Sequence, residues 1–249
     1  MSGHSKWSSI KHKKAAVDAK RGKIFTKLIR EITVAAKMGG GDMEANPRLR
    51  LAVGVARGKN MPKDTIDRAI KKGAGGNDGV DFEEVIYEGY GPHNVAVVVE
   101  ALTDNRNRTA SSIRHVFTKH NGNLGATNSV QYMFDRKGTF TLSKDAGDED
   151  TITEWVLESG ADDLEDDGDT WFVTCALENF DSVKTYLEEK GLDISEAELQ
   201  RLPQTKVNLT DKEQAQKVLG FLELLEEDDD VQKVFANFEI DENLLAELE

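Results

Sequence analysis

Four glycines fall within the seven residues Gly73-Ala74-Gly75-Gly76-Asn77-Asp78-Gly79, and the charge of the chain reverses across them. Residues 1–80 hold 18 Lys and Arg against 7 Asp and Glu, whereas residues 81–249 hold 14 against 39. A net charge of -14 therefore conceals a strongly basic first third. Glycine-rich stretches have little to bury and a permissive backbone, so this one reads as a linker between a basic body and an acidic one. Phosphate cradling by the same glycines is the alternative, but no Gly-Lys-Ser/Thr follows them.

Several classes drop out on length and pattern. The longest purely apolar run, Val95 to Val99, is far short of the roughly 18 residues of a membrane span. The basic N-terminus lacks the apolar stretch of a signal peptide. No acid precedes Asp18, as in a transit peptide, but such peptides favour Arg and this segment favours Lys. A single cysteine, Cys175, cannot form an internal disulfide and points to a reducing, cytoplasmic setting. Its place in the alternating run Trp171 to Ala176 predicts a buried strand position.

The first third reads as three helices. Ile24, Phe25, Leu28, Ile29, Ile32 and Ala35/Ala36 recur at helical spacing, leaving Lys23, Lys27, Arg30 and Lys37 to make a basic outer face. Gly39-Gly40-Gly41 ends that helix. Asn46-Pro47 caps a second, with Leu49, Ala52, Val53 and Ala56 inward. Pro62 opens a third on Ile66, Ala69 and Ile70, and Gly73 closes it. Residues 1–20 lack such a stripe and read as an arm. Beyond the linker, strands are expected at 84–90, 94–102 and 129–134, with a helix over 106–120. Residues 137–201 hold two β-α-β halves, the first with a capping box Thr151-x-x-Glu154, which suggests a ferredoxin-like split unit. A last strand, the box Thr210-x-x-Glu213, a helix to about 226 and a strand near 231–238 follow. The expected fold is α+β and multidomain. A three-helix domain (1–75) precedes two α/β, ferredoxin-like domains, with 136–202 inserted into one formed by 80–135 and 203–240.

Catalytic and metal-binding patterns are scarce. His4, His12, His93, His115 and His120 form no ligand spacing. Asp163-x-Glu165-x-Asp167-Gly168 imitates a calcium loop but has Thr174 where the bidentate Glu belongs. Lys137-Gly138-Thr139-Phe140 echoes an RNA-recognition strand with one aromatic where stacking needs two or three. No cofactor and no metal are expected, and an enzyme with carboxylates in an interdomain cleft has no motif behind it.

The positive signal is electrostatic. Residues 1–40 carry ten Lys and Arg against two acids, suited to neutralising phosphates with counterion release, and Trp7 offers a stacking surface. Lys6, Trp7, Lys11, His12, Lys13, Lys14, Lys20, Arg21, Lys23, Lys27 and Arg30 are the candidate contacts here. A second candidate is Thr103 to Thr109 running into Arg114, where a strand ends and a helix begins, so that Arg106, Arg108 and Arg114 could meet an anion. Asp104 and Asn105 could equally cap the helix while the arginines pair with acids, and both readings stay open. Residues 141–249 hold 8 cations against 32 acids and should repel nucleic acid or meet a basic protein partner.

The segments Gly3-His4-Ser5-Lys6-Trp7, Ile10-Lys11-His12-Lys13-Lys14, Asn60-Met61-Pro62-Lys63, Tyr87 to Pro92 and Ala101 to Thr109 together resemble the YebC family. The resemblance runs from residue 3 to about residue 240. It implies a cytoplasmic three-domain protein, described in bacteria as a DNA-binding transcriptional regulator and linked in some members, including a mitochondrial translational activator, to the ribosome. It brings no catalytic residues. The expectation is a monomeric, non-enzymatic regulator that binds DNA, or alternatively ribosomal RNA on the ribosome, and no membrane.

Overall fold

The computed structural model describes residues 19–75, 81–240 and Leu244. The chain divides into two compact units, residues 134–202 and the segments on either side of them.

The flanking unit begins with three helices, α1 (Ala19–Gly39), α2 (Pro47–Gly58) and α3 (Lys63–Ala74). Their apolar stripes meet in one core of Ile32, Ala35, Leu49, Val53, Met61 and Ile66, with Phe25, Leu28 and Ile29 packed against it. Asn46 caps α2 by accepting the Leu49 N–H at 3.1 Å. Its amide donates to the Ala35 and Gly40 carbonyls at 2.8 Å each, so one buried side chain joins the end of α1 to the start of α2. Gly73 does not close α3. It lies within the helix, buried, where a Cβ would stand 2.2 Å from the Thr33 carbonyl oxygen and 2.8 Å from Ala36 Cβ. The first of the four clustered glycines thus serves close packing of α3 on α1, and residues 76–80 of the run lie outside the described residues.

An antiparallel sheet follows in the order β3-β1-β2-β9, from β1 (Glu83–Tyr90), β2 (Ala96–Thr103), β3 (Asn123–Leu124) and β9 (Val231–Ala236). Strand β2 is central, which explains its unbroken apolar run. Helices α4 (Arg106–Lys119) and α7 (Lys212–Glu226) pack into the same core through Ile113, Phe117, Val218 and Phe221 against Val97, Val99 and Val234. Phe117 and Phe221 meet edge to face at 5.0 Å between centroids. The strands β8 (Val207–Leu209) and β10 (Phe238–Ile240) form a short parallel pair.

The strand expected at 129–134 is absent. Glu88, 2% exposed, accepts the N–H groups of Asn128, Val130 and Gln131 at 2.7–3.0 Å and draws that segment into a loop ending in a 3-10 turn, Gln131–Met133. Burial alone would raise the Glu88 pKa, but these hydrogen bonds hold it below the usual carboxylate range.

Residues 134–202 run β4 (Phe134–Ser143), α5 (Glu149–Glu158), β5 (Asp163–Asp166), β6 (Thr170–Cys175), α6 (Phe180–Glu189) and β7 (Ile194–Pro203). The sheet order β5-β6-β4-β7 is that of a β-α-β-β-α-β split unit. Cys175 is buried on β6, and burial pushes its thiol pKa up to about 11. Both expected capping boxes begin elsewhere. Asp148 caps α5 by accepting the Thr151 N–H at 3.0 Å, and Asp211 caps α7 by accepting the Gln214 N–H at 2.9 Å. A carboxylate one to three positions from Thr151 or Thr210 is the stronger acceptor for the free N–H groups, and it wins.

Candidate nucleic-acid interface

The candidate surface is organised around one buried carboxylate. Strand β2 ends at Thr103 and α4 starts at Arg106, with Asn105 as its cap, accepting the Arg108 N–H at 3.1 Å. The Thr103 hydroxyl accepts the Asn105 N–H at 2.9 Å, which holds the connection in a tight turn. Asp230, 4% exposed, sits behind it at the start of β9. Its Oδ2 accepts from the Thr109 hydroxyl at 2.6 Å and from Arg108 Nη2 at 2.7 Å, and its Oδ1 from Arg30 Nη1 at 2.9 Å. Burial alone would raise the Asp230 pKa, but the hydrogen bonds from Thr109 and Arg108 and the charges of Arg108 and Arg30 hold it below the usual carboxylate range.

Arg30 belongs to a stripe on α1 with Lys23 and Lys27, at i, i+4 and i+7. Lys23 Nζ donates to the Glu227 carbonyl at 3.2 Å and Lys27 Nζ to the Glu226 carbonyl at 2.6 Å. Arg30 Nη1 lies 2.7 Å from the Asp229 carbonyl oxygen and 2.9 Å from that of Leu102. The Glu226 and Glu227 carbonyls stand at the C-terminal end of α7, where carbonyls lack helical partners and the helix dipole is negative, so Lys23 and Lys27 fit there, while Arg30 reaches the turn beyond it and the end of β2. The basic outer face expected of α1 is therefore tied into the fold along this stripe, with Lys27 and Arg30 half-buried and Lys23 exposed. Lys23, Lys27 and Arg30 hold the N-terminal helices against the turn at 226–230.

Helix phase separates the three arginines of the second candidate. Arg108 turns toward the protein, pairing with Asp104 and Asp230 at 2.7 Å each, and both bonds raise its pKa above the ordinary arginine value. Arg106 and Arg114 point the other way. Both are exposed, and neither side chain has a hydrogen-bond or ion-pair partner among the described residues, the Arg106 backbone carbonyl accepting from the Tyr87 hydroxyl at 3.3 Å. Asn107, Ser111, His115, Thr118 and Lys119 extend the same exposed surface, and α4 contains no acid in a chain with 46 of them. Lys6, Trp7, Lys11, His12, Lys13 and Lys14 lie outside the described residues, as do the side chains of Lys20 and Arg21, whose backbone belongs to α1.

Asp230 is the residue that sequence reasoning missed. Its partners Arg30 and Arg108 lie 200 and 122 positions away. The available signal was the acidic run Glu226 to Asp230, which complements the basic stripe of α1. Among the described residues no group of His, Cys, Asp and Glu could hold a metal ion, and no helix is long and apolar enough to cross a membrane.

These features define an α+β protein of three N-terminal helices followed by α/β sheets, with two exposed arginine side chains on the acid-free helix α4. The chain belongs to the TACO1/YebC family: residues 5–76 match the TACO1/YebC protein N-terminal domain, and residues 82–238 the TACO1/YebC second and third domain. It is 55% identical to a probable transcriptional regulatory protein of Desulforapulum autotrophicum over 96% of this chain and 97% of that one. It is 51% identical to another of Persephonella marina over the full length of both. The crystal structure of a conserved hypothetical protein from Aquifex aeolicus, 52% identical, superimposes with a TM-score of 0.85, covering 94% of this chain and 96% of that one.

Proposed function

We propose that this protein is a non-enzymatic, nucleic-acid-binding regulator of gene expression, with DNA as its target and the cytoplasm as its site of action. The observation that carries the reading is the outer surface of α4, where Arg106 and Arg114 stand exposed and unpaired on a helix without a single acid. Unpaired cations in an acidic protein form a local positive field to which phosphates are drawn, and they give up nothing internal on binding. The basic arm, with Lys6, Trp7, Lys11, His12, Lys13 and Lys14, adds charge and one stacking surface to the same task. The names of the relatives favour transcriptional regulation. Ribosomal RNA is the alternative target, since phosphate contacts alone do not distinguish it from DNA. The protein acts as a monomer in this reading, and its acidic segments keep nucleic acid to one side.

Replacing Arg106 and Arg114 with Ala tests it. Binding to a mixed-sequence DNA duplex should weaken, and the slope of log K against log salt should fall by about 2, because two phosphate contacts are lost. The melting temperature should hold, since neither side chain has an internal partner. Co-sedimentation with ribosomes, run beside the duplex titration, separates the two targets. A wild-type protein that binds neither duplex nor ribosomes at low salt overturns the reading.

A further inference from the structure

Among the described residues, five that are not glycine take the left-handed backbone conformation, and four of them gather at one end of β1. His93 and Asn94, at φ 58° and 60°, are the central residues of the β1–β2 turn, where the Val95 N–H bonds back to the Pro92 carbonyl at 3.3 Å. Asn121, at φ 57°, follows the end of α4, and its loop reaches the same end of β1 through β3, where Asn123 pairs with Tyr90. Asn128, at φ 65°, belongs to the loop drawn in by Glu88, and the Tyr90 hydroxyl stands 3.9 Å from the Met133 sulfur. Backbone of this kind persists where the surrounding fold holds it, and it concentrates at functional sites.

The three loops are held from within. A Cβ on Gly89 would stand 2.3 Å from the Asn123 carbonyl oxygen, and one on Gly122 would stand 2.7 Å from that of Tyr90, so backbone rests directly on backbone. The side chains they present are of one kind. Asn94, Asn121, Asn123, Thr127 and Asn128 are exposed, and none of these side chains has a hydrogen-bond partner among the described residues. Tyr132 is 70% exposed and Tyr90 37%. No Asp or Glu occurs from Gly89 to Val99 or from Asn105 to Phe134, in a chain with 46 of them. The loops at 91–94 and 121–133 hold no Lys or Arg either.

A platform without charge neither repels a polyanion nor grips its phosphates. What it offers is amide groups, each carrying both donors and an acceptor, and a tyrosine ring in water. Those are the groups that bond the edge of a nucleobase and stack on its face. Bases inside a duplex are already stacked on one another, so the ring takes a base that is unpaired. We infer that this end of the sheet is a binding site for unpaired nucleobases, with Tyr132 as the stacking surface and Asn121, Asn123 and Asn128 as the groups that bond the base edge. The inference rests on the nucleic-acid reading above and deepens it: the target carries a single-stranded segment besides the phosphates that meet α4.

The experiment compares the full-length wild-type protein with Tyr132→Ala, Tyr132→Leu and Tyr132→Phe. The probes are single strands of about 12 nucleotides carrying 2-aminopurine, as RNA and as DNA, and a mixed-sequence DNA duplex. Binding of the wild type should change the 2-aminopurine fluorescence, and the strand that does so more strongly identifies the source of the base. The Ala and Leu variants should bind that strand about 10-fold or more weakly and lose the fluorescence change, since neither offers a π face. Their duplex affinity and salt slope should match the wild type, because no phosphate contact is removed. Tyr132→Phe should behave as the wild type on every probe. Thermal melts should coincide, since the Tyr132 side chain stands mostly in water. A wild type that leaves both single strands unbound while binding duplex or ribosomes, or an Ala variant that binds the strands as the wild type does, overturns this site and leaves the function proposed above standing. If the wild type binds no probe and no ribosomes, both fail together.

Discussion

Asp230 shows how much can depend on one buried carboxylate. It is reached from α1 by Arg30 and from α4 by Arg108 and Thr109, so removing it takes one partner from each of three groups at once, leaving Arg108 with Asp104 and Arg30 with the Leu102 and Asp229 carbonyls. Losing hydrogen bonds between charged groups at a buried carboxylate costs on the order of 2 to 3 kcal/mol, and Asp230→Ala should lower the melting temperature by several degrees. The pH dependence has a definite sign. The pKa of Asp230 is depressed in the folded protein, so its contribution is complete above the unfolded carboxylate value and is lost as pH falls through the lower, folded one. The stability gap between wild type and Asp230→Asn, measured by denaturant titration, should therefore be widest near neutral pH and should narrow below about pH 4. A gap that widens in acid would show that the carboxylate is not ionised in the fold. Arg106 and Arg108 make the complementary point. Two positions apart on a helix, they face opposite ways, one toward solvent and one toward Asp230.

At the scale of the element, Gly73 is the position where one methyl group decides packing. Its missing Cβ would collide with the Thr33 backbone carbonyl, which cannot turn aside like a flexible side chain. Gly73→Ala should gain intrinsic helix propensity yet destabilise the protein by about 1 to 3 kcal/mol, because α3 must move off α1. Chemical denaturation of the variant measures this, and a more stable variant would show that the two helices are not in close contact. Asn105→Ala should cost about 1 kcal/mol by uncapping α4, while Thr210→Ala should cost less than Asp211→Ala because the cap of α7 is the carboxylate. Helices were legible in the sequence through their apolar stripes, and their ends were less so. A Thr-x-x-Glu pattern was recognisable at both Thr151 and Thr210, but an aspartate close by in the chain competes for the same N–H groups, and the folded backbone decides which wins. The loop at 128–131 was illegible for a related reason: Glu88, about 40 positions away, takes its backbone N–H groups, and nothing in the local sequence signals that partner.

For the whole molecule, the uneven distribution of charge has two outcomes that composition alone merges. Part of the basic first third is consumed internally, where Lys23, Lys27 and Arg30 meet the end of α7. Replacing Lys23 and Lys27 with Gln should raise hydrogen exchange along α1 and lower the melting temperature while leaving the salt slope of nucleic-acid binding unchanged. A changed slope would return those two lysines to the binding surface. The sequence by itself determined the helical and strand segments whose periodicity is strong, the buried place of Cys175 and the concentration of positive charge toward one end, since each depends on neighbours within a few positions. Only the tertiary structure decided which cations are available. Availability depends on whether an acceptor from a distant segment, such as Asp230 or the carbonyls of 226–229, lies within about 3 Å of the charged group, and linear spacing carries no information about such a meeting.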